Sequence, residues 1–262
     1  MFPLNKIELE KWMIDDEKDT FYNDNFDSND NDNNKGHRYY SMLLESYNGD
    51  RELVLKNFLQ AYLACVAFVD EQVGKVIDAL NTRKFKDNTI IVFTSDHGWQ
   101  MGEKNYLFKN SPWEESTRIP MIIKTPSSNS GLKVEHPVSL IDLYPTLKDY
   151  CNLAGSNKYN PYGGELGGYS LRPFIEENSK KWKGPNGALT VVGNYGIKIP
   201  TENQNFSYRT QNWRYIRYGN GKEELYNHKT DSFEWYNLAY EKKYKKIKNM
   251  LTYEMKNIIT NK

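Results

Sequence analysis

Between residues 50 and 82, Leu55, Leu59, Tyr62, Val66, Val69, Val73, Val76 and Leu80 recur every three or four positions. That period matches one side of an α-helix and predicts a helix with a single apolar face. A polar turn at 83–87 then leads into Ile90, Ile91, Val92 and Phe93, and the spacing predicts a strand over 89–94. An unbroken apolar run of this kind suits a strand of a parallel sheet covered on both faces. A second strand is expected at 120–124, followed by a turn at 126–131. Residues 138–153 read as a helix interrupted by Pro145 and ended by Gly155. No apolar run reads as long enough to span a bilayer.

The texture changes after 155. Residues 157–168 are rich in Gly, Asn and Tyr and read as loop. Short strands are expected at 188–192, 206–210, 213–218 and 223–227, with Gly219-Asn220-Gly221 as a hairpin signal between the last two. A charged helix over 240–258 closes the chain. Residues 1–20 read as an extended entry, and 23–36 as a low-complexity, solvated polar loop. That insert lacks the turn glycine and closing glutamate of an EF-hand. The division is therefore an α/β region over 1–155 and a smaller antiparallel subdomain over 156–262.

The 262 residues carry 35 basic and 34 acidic side chains, a formal charge of +1. Such a balance gives no electrostatic basis for a nucleic-acid or membrane partner. Aromatics form 14% of the chain, with 20 Tyr and 6 Trp, which suits either core packing or a carbohydrate-facing cleft. Cys65 and Cys151 stand outside any CxxC or His-rich pattern, and Cys65 reads as a small hydrophobe on the buried face of its helix. Met1-Phe2-Pro3-Leu4 opens the chain without the pattern of a signal peptide.

Chemistry concentrates where the strand at 89–94 breaks into Ser95-Asp96-His97-Gly98. In open α/β sheets ligands bind just beyond the carboxyl ends of strands. A carboxylate and an imidazole side by side at that edge can hold a metal, although the tetrapeptide alone fits a capped turn equally well. Gly98 lets the backbone turn away. Lys109, twelve residues past His97, can clamp an anionic group or stand as a solvated lysine. Trp99 can stack on a sugar ring or anchor the loop, as can Trp113. Glu114, Glu115 and Arg118 read as loop-fixing ion pairs, while His136, His228 and His37 read as structural or solvated. There is no Gly-x-Ser-x-Gly elbow, no phosphate-cradling Gly-rich Lys loop and no His-Glu-x-x-His.

Taken in order, several segments closely resemble type I sulfatases, especially the iduronate-2-sulfatase-like and choline-sulfatase-like branch. These are Asp70-Glu71-Gln72-Val73-Gly74, Asn88 through Trp99, Gly102-Glu103-Lys104 and Trp113 through Pro120. Val138 through Leu147 is similar to the family's next helix, and Gly168-Tyr169-Ser170-Leu171-Arg172-Pro173 to its following segment. Tyr208-Arg209-Thr210, Trp213-Arg214-Tyr215 and Glu224-Leu225-Tyr226-Asn227 resemble its C-terminal sheet. The resemblance runs from about residue 50 to 240. It implies an α/β fold of the alkaline-phosphatase-like sandwich type, with an incomplete central sheet and a small C-terminal antiparallel α+β subdomain.

It also implies cleavage of sulfate esters, on a sulfated carbohydrate or another sulfate ester, with calcium and a formylglycine. Carried over residue by residue, Asp96 and His97 are calcium ligands, Lys109 contacts the substrate sulfate and Trp99 lines the substrate pocket. The family's Cys/Ser-x-Pro-x-Arg nucleophile motif is absent, since Cys65 is followed by Val-Ala-Phe and Cys151 by Asn-Leu-Ala. Its early Asp-Asp pair and His-x-Pro segment are absent too, so no catalytic nucleophile is assigned in this chain. Phe2-Pro3-Leu4-Asn5-Lys6-Ile7-Glu8-Leu9 resembles the segment just downstream of that histidine. The expectation is a sulfatase portion whose N-terminal half, with the formylglycine, is lost or supplied as a partner. The alternative is a non-catalytic remnant or glycan-binding module. The resemblance points to a periplasmic, secreted or lysosomal setting.

Overall fold

The computed structural model describes residues 2–22, 35–128, 131–155, 167–192 and 200–260. It divides into two compact units, 1–126 and 127–262, with a boundary upstream of the 155/156 division read from the sequence. The polar insert at 23–34 and most of the loop at 157–168 lie outside the described residues.

In the first unit, α1 (Lys35–Glu45) begins inside the stretch expected as loop, so Lys35 and Gly36 are helical. A Cβ on Gly36 would lie 2.1 Å from the Tyr106 ring, which explains a glycine in a helix. Helix α2 (Arg51–Asn81) starts where the Asp50 side chain accepts from the Leu53 amide at 3.0 Å, a standard N-terminal cap. Its extent matches the expectation; its burial does not. Only Val54 and Leu55 are buried, and Tyr62, Val66, Val69 and Val76 are exposed. Cys65 is exposed as well, correcting its reading as a buried hydrophobe. Apolar periodicity marks which side of a helix seeks cover, and here only the first turns have found it. By length and composition α2 also meets the requirements of a membrane-crossing helix, a run the sequence reading did not find.

Strand β1 (Ile91–Thr94) pairs antiparallel with β2 (Met121–Lys124), in the register Ile91↔Lys124 and Thr94↔Met121. The expected parallel, doubly covered strand is thus replaced by a two-stranded antiparallel pair, with Phe93 and Ile122 directly opposite and both exposed. The core sits elsewhere. Tyr40, Val54, Leu55 and Leu107 form its centre, with Leu43, Phe58, Trp99 and Met101 packed around them. Burying a side chain of this size contributes about 1.5–3 kcal/mol. A neighbouring aromatic group joins Tyr22, Tyr106 and Trp113 edge to face, with centroids 5.5–6.0 Å apart.

In the second unit a 3-10 turn at Leu140–Asp142 runs into α4 (Leu143–Tyr150), shorter than the expected 138–153. Pro145 falls in the first turn of α4, where a missing N–H breaks no helical bond, so it does not interrupt the helix. Asp142 is buried and accepts from the amides of Ser139 and Tyr169, both at 2.8 Å. A short helix, α5 (Arg172–Ile175), precedes a four-stranded antiparallel meander. Its strands are β3 (Gly187–Val192), β4 (Asn205–Thr210), β5 (Trp213–Arg217) and β6 (Glu223–Asn227). The expected hairpin joins β5 to β6, with Gly221 at φ +83°.

Alternation along these strands builds two different faces. Phe206, Tyr208, Tyr215 and Leu225 meet Leu251 and Met255 of α6 (Lys245–Thr260). On the other face Arg214 Nε donates to Glu234 Oε1 at 2.5 Å and Arg214 Nη1 to Ser207 Oγ at 2.7 Å. His228 Nε2 lies 2.7 Å from the same Glu234 oxygen, so this histidine has a carboxylate partner. His136 stacks on Phe174, with Nε2 3.0 Å from the Pro185 carbonyl.

Removing one partner of a fully buried ion pair leaves charge without compensation and costs about 3–5 kcal/mol. Glu234→Ala is therefore expected to lower unfolding free energy by that amount in urea titration. Lys56→Ala, which removes a pair with the largely exposed Glu52, should change it by less than about 0.5 kcal/mol. Equal effects would contradict the ranking.

Candidate functional site

The turn after β1 is fixed by main-chain contacts before any side chain acts. The Gly98 amide donates to the Ser116 carbonyl at 2.9 Å and the Trp99 amide to Glu115 at 2.7 Å. Both carbonyls belong to the short helix α3 (Glu114–Thr117). A Cβ on Gly98 would stand 2.0 Å from the Glu115 oxygen and 2.8 Å from that of Arg118, so only glycine fits. Ser95 Oγ donates to the His97 carbonyl at 2.8 Å and tightens the same turn.

Held this way, His97 Nδ1 lies 2.7 Å from the Gly98 carbonyl. A carbonyl only accepts, so Nδ1 carries the proton and Nε2 presents a lone pair. Lys109 Nζ donates to that lone pair at 2.9 Å, and Asp96 Oδ2 lies 3.6 Å from it. The Asp96 side chain is 83% exposed and that of His97 33%. Three of the four residues singled out from the sequence thus meet at one point.

Lys109 reaches His97 because the chain between them folds back on itself. The Gln100 amide donates to Phe108 and the Gly102 amide to Tyr106, both at 3.0 Å. Gly102 (φ +107°), Lys104 (φ +51°) and Asn105 (φ +50°) make the bend. Lys104 at the tip is buried, with Nζ donating to the equally buried Asp16 at 2.7 Å. At the base, Ser111 Oγ donates to Gln100 Oε1 and accepts from Ser116 Oγ, 2.7 Å away. Beside the bend, Glu103 accepts from the Met101 amide at 2.7 Å, while its burial raises its carboxyl pKa above the usual range.

Trp99 turns toward the hydrophobic core and packs edge to face on Phe108, with centroids 5.6 Å apart. Its buried indole N–H has no hydrogen-bond partner among the described residues. Trp113 is a buried anchor. Glu115 and Arg118 are exposed, and their segment serves the site through its carbonyls. His37 stands on α1 against Tyr106, and burial lowers its pKa. Sequence reasoning did not single out Asp16, Gln100, Ser111 or Ser116. A lysine in a Gly-Glu-Lys bend was the one visible signal, and it did not identify an acid 88 residues away.

Gly98→Ala is expected to push the turn off α3 and cost about 2 kcal/mol or more. Imidazole nitrogen shifts should then lose the fixed Nδ1–H pattern of His97; an unchanged pattern would show that the close approach does not fix the ring. A second expectation concerns pH. Glu103 is raised above 4.5, so the folded chain holds that proton more tightly than the unfolded chain. Its contribution to stability therefore falls as pH rises from about 4.5 through the folded value. Glu103→Gln should flatten that part of the stability–pH curve, as read by thermal melts.

Residues 15–153 match the family model described as Sulfatase, and residues 102–261 match N-sulphoglucosamine sulphohydrolase, C-terminal. Among curated proteins, a sulfatase of Formosa agariphila is 35% identical over 72% of this chain and 34% of its own length. Among solved structures, BT4656, in complex with its substrate D-glucosamine-2-N,6-O-disulfate, is 26% identical with a TM-score of 0.64. It covers 84% of this chain and 45% of its own. BT1596, a 2-O GAG sulfatase, is 28% identical with a TM-score of 0.69, covering 80% of this chain and 44% of its own. The chain thus spans about a third of that curated relative and under half of these structural neighbours. Its α/β architecture is the alkaline-phosphatase-like fold of those sulfatases. With a family model matching more than half of its length, the chain belongs to the sulfatase family.

Proposed function

We propose that this chain carries one part of a calcium-assisted sulfuric ester hydrolase centre acting on a sulfated carbohydrate. The observation that carries the reading is the His97 Nε2 lone pair, set 2.9 Å from the Lys109 ammonium and 3.6 Å from the Asp96 carboxylate. Asp96 offers an exposed hard oxygen and His97 a lone pair fixed by the Nδ1–H bond to Gly98, so the two fit as metal ligands. Calcium takes six to eight ligands, so others must join them. Bound calcium would draw negative charge onto itself from the ester's sulfate oxygens.

The chain's own residues then have distinct tasks. With His97 Nε2 given over to a metal, Lys109 would be without that acceptor and its ammonium would be available to an anionic sulfate oxygen. The loop bonds that return residue 109 to residue 97 keep this charge within reach. Trp99 is proposed as a wall of the substrate pocket, held by its packing on Phe108. Residues 1–155 form part of the catalytic domain in this reading, and 156–262 the C-terminal subdomain. No Cys/Ser-x-Pro-x-Arg occurs in the 262 residues, so the formylglycine has no precursor here and no bond-breaking step is assigned to these side chains. The 2-O GAG sulfatase among the neighbours supports the iduronate-2-sulfatase-like branch, and the disulfated glucosamine bound by another supports a glycan substrate. The exposed Lys109 also suits a second reading, a non-catalytic remnant or sulfated-glycan-binding module, which would bind the glycan without turnover in any assembly.

Calorimetric titration of the 262-residue chain should give a calcium Kd of roughly 10⁻⁴–10⁻³ M, the range of sparsely liganded sites. Asp96→Ala should abolish it, and Lys109→Ala should tighten it by removing a competing cation. The chain alone should not hydrolyse an aryl sulfate. Calcium binding unaffected by Asp96→Ala, or turnover by the chain alone, would overturn this assignment.

A further inference from the structure

We propose that the outward face of α6, with the turn leading into it, binds a sulfated polysaccharide along a row of lysines. The row is read from charge placement; the identity of its occupant rests on the sulfatase reading above. A formal charge of +1 conceals an uneven distribution. Residues 242–248, Lys-Lys-Tyr-Lys-Lys-Ile-Lys, hold five lysines, and runs of this density recur in polyanion-binding surfaces.

One side of α6 is taken up by packing. Leu251 and Met255 are buried there, with Ile247, Ile258 and Ile259 beside them. At about 100° per residue, Lys245, Lys246, Asn249, Tyr253 and Lys256 fall together on the opposite side. All five are exposed, Tyr253 at 68%. From Lys245 to Lys256 the row rises about 16 Å, which suits a polymer better than a single sulfate.

Two observations set this row apart from an ordinary solvated face. The first is the lack of acids. On α2, Lys56 and Lys75 each meet a glutamate one turn earlier at 2.6 Å. Near α6, Lys243 meets Glu241 at 3.0 Å and Lys248 meets Glu223 at 2.6 Å. Among the described residues Lys242, Lys245, Lys246 and Lys256 form no such pair. Glu254, the one acid between 242 and 260, is engaged by Tyr208 Oη at 2.9 Å and Asn186 Nδ2 at 3.3 Å.

The second observation is that these lysines stand where a helix resists them. The first turn of α6 holds Lys245, Lys246 and Lys248 and no acidic residue. A helix amino end carries partial positive charge, so cations there oppose the macrodipole. Lys242, one turn before Lys246 in the 3-10 turn Lys242–Tyr244, adds like-charge repulsion. A bound polyanion relieves both costs. A local rule broken without internal compensation marks a functional surface.

The row favours a glycan over other polyanions. It contains no arginine, the side chain whose bidentate fork best grips the phosphates of nucleic acid. The apolar side of α6 faces its own core, so a bilayer would meet lysines without an apolar face to insert. The open Tyr253 ring offers a sugar an apolar surface, with the Asn249 amide one turn away.

Anisotropy of end-labelled dextran sulfate reads binding by the 262-residue chain at about 0.15 M ionic strength. Replacing Lys245, Lys246 and Lys256 together by Gln should weaken binding at least about tenfold and flatten its salt dependence. Gln matches Lys in helix propensity and removes the repulsion, so the melting temperature should stay level or rise. Replacing the exposed Lys84, Lys86 and Lys133 by Gln removes the same net charge and should change binding less than about twofold. Tyr253→Ser should weaken dextran sulfate binding severalfold and leave binding of a labelled DNA duplex unchanged. Equal losses in the two triple variants overturn the proposal. So does competition by unsulfated dextran, or binding of DNA duplex or phosphatidylserine vesicles as tight as that of dextran sulfate. Calcium titration separates this proposal from the metal centre. Dextran sulfate binding that depends on the α6 lysines, without calcium binding, keeps the row and removes the metal site. Calcium binding abolished by Asp96→Ala, with the two triple variants equal, does the reverse.

Discussion

The candidate site depends on one main-chain constraint, the docking of the Gly98-Trp99 peptide onto the carbonyls of α3. Two hydrogen bonds of 2.9 and 2.7 Å close that contact, and the absence of a Cβ at residue 98 permits it. Each such bond contributes only about 0.5–1.5 kcal/mol net. Their effect is geometric. They stop the strand, turn His97 so that Nδ1 meets its neighbour's carbonyl, and start the folded-back loop whose two internal bonds return Lys109. Without that return, a separation of twelve residues would place no particular distance between the lysine and the imidazole.

Charges in this chain fall into two populations with opposite environments. Lys104 with Asp16, and Arg214 with Glu234, are fully buried and mutually paired; they fix the bend and the back of the meander. Asp96 and Lys109 remain open to solvent. Buried pairs rarely add much stability over an apolar substitute, but each is costly to break, so they specify geometry. Exposed charges keep their capacity for a ligand because no internal partner fully compensates them. The same sequence therefore spends its buried ions on shape and reserves its exposed ones for chemistry.

Much of this was legible in the sequence where the cause was local. The Asp50 cap and the apolar period gave the bounds of α2, and Gly219-Asn220-Gly221 gave the β5–β6 hairpin. The β-branched run gave β1 and hence the position of Asp96 and His97. What failed was non-local. Periodicity told which side of α2 is apolar but not that this side lies open, and composition told that 90–93 is a strand but not that its partner runs antiparallel. Pro145 was read as a break because its place in the first turn depends on where the helix starts. Asp16 was invisible because nothing local ties it to a lysine 88 residues later. The metal-and-lysine assignment itself came from resemblance; spacing alone left a capped turn equally open.

Exposure of the β1–β2 pair and exposure of the ligands at its end have a common energetic consequence. A group that binds only the folded structure stabilises it in proportion to its own affinity, so a metal at Asp96 and the strand end that positions it would reinforce each other. Two ligands alone hold calcium weakly, and a bare two-stranded sheet holds its form weakly. If further carboxylates join Asp96 at the strand end, metal affinity and the order of that end rise together. This coupling separates the two functional readings physically. A glycan-binding module needs only the positive charge of Lys109 to hold a sulfate. A hydrolase centre of the kind proposed needs a metal beside that charge as well, so dependence of sulfate binding on calcium distinguishes the two.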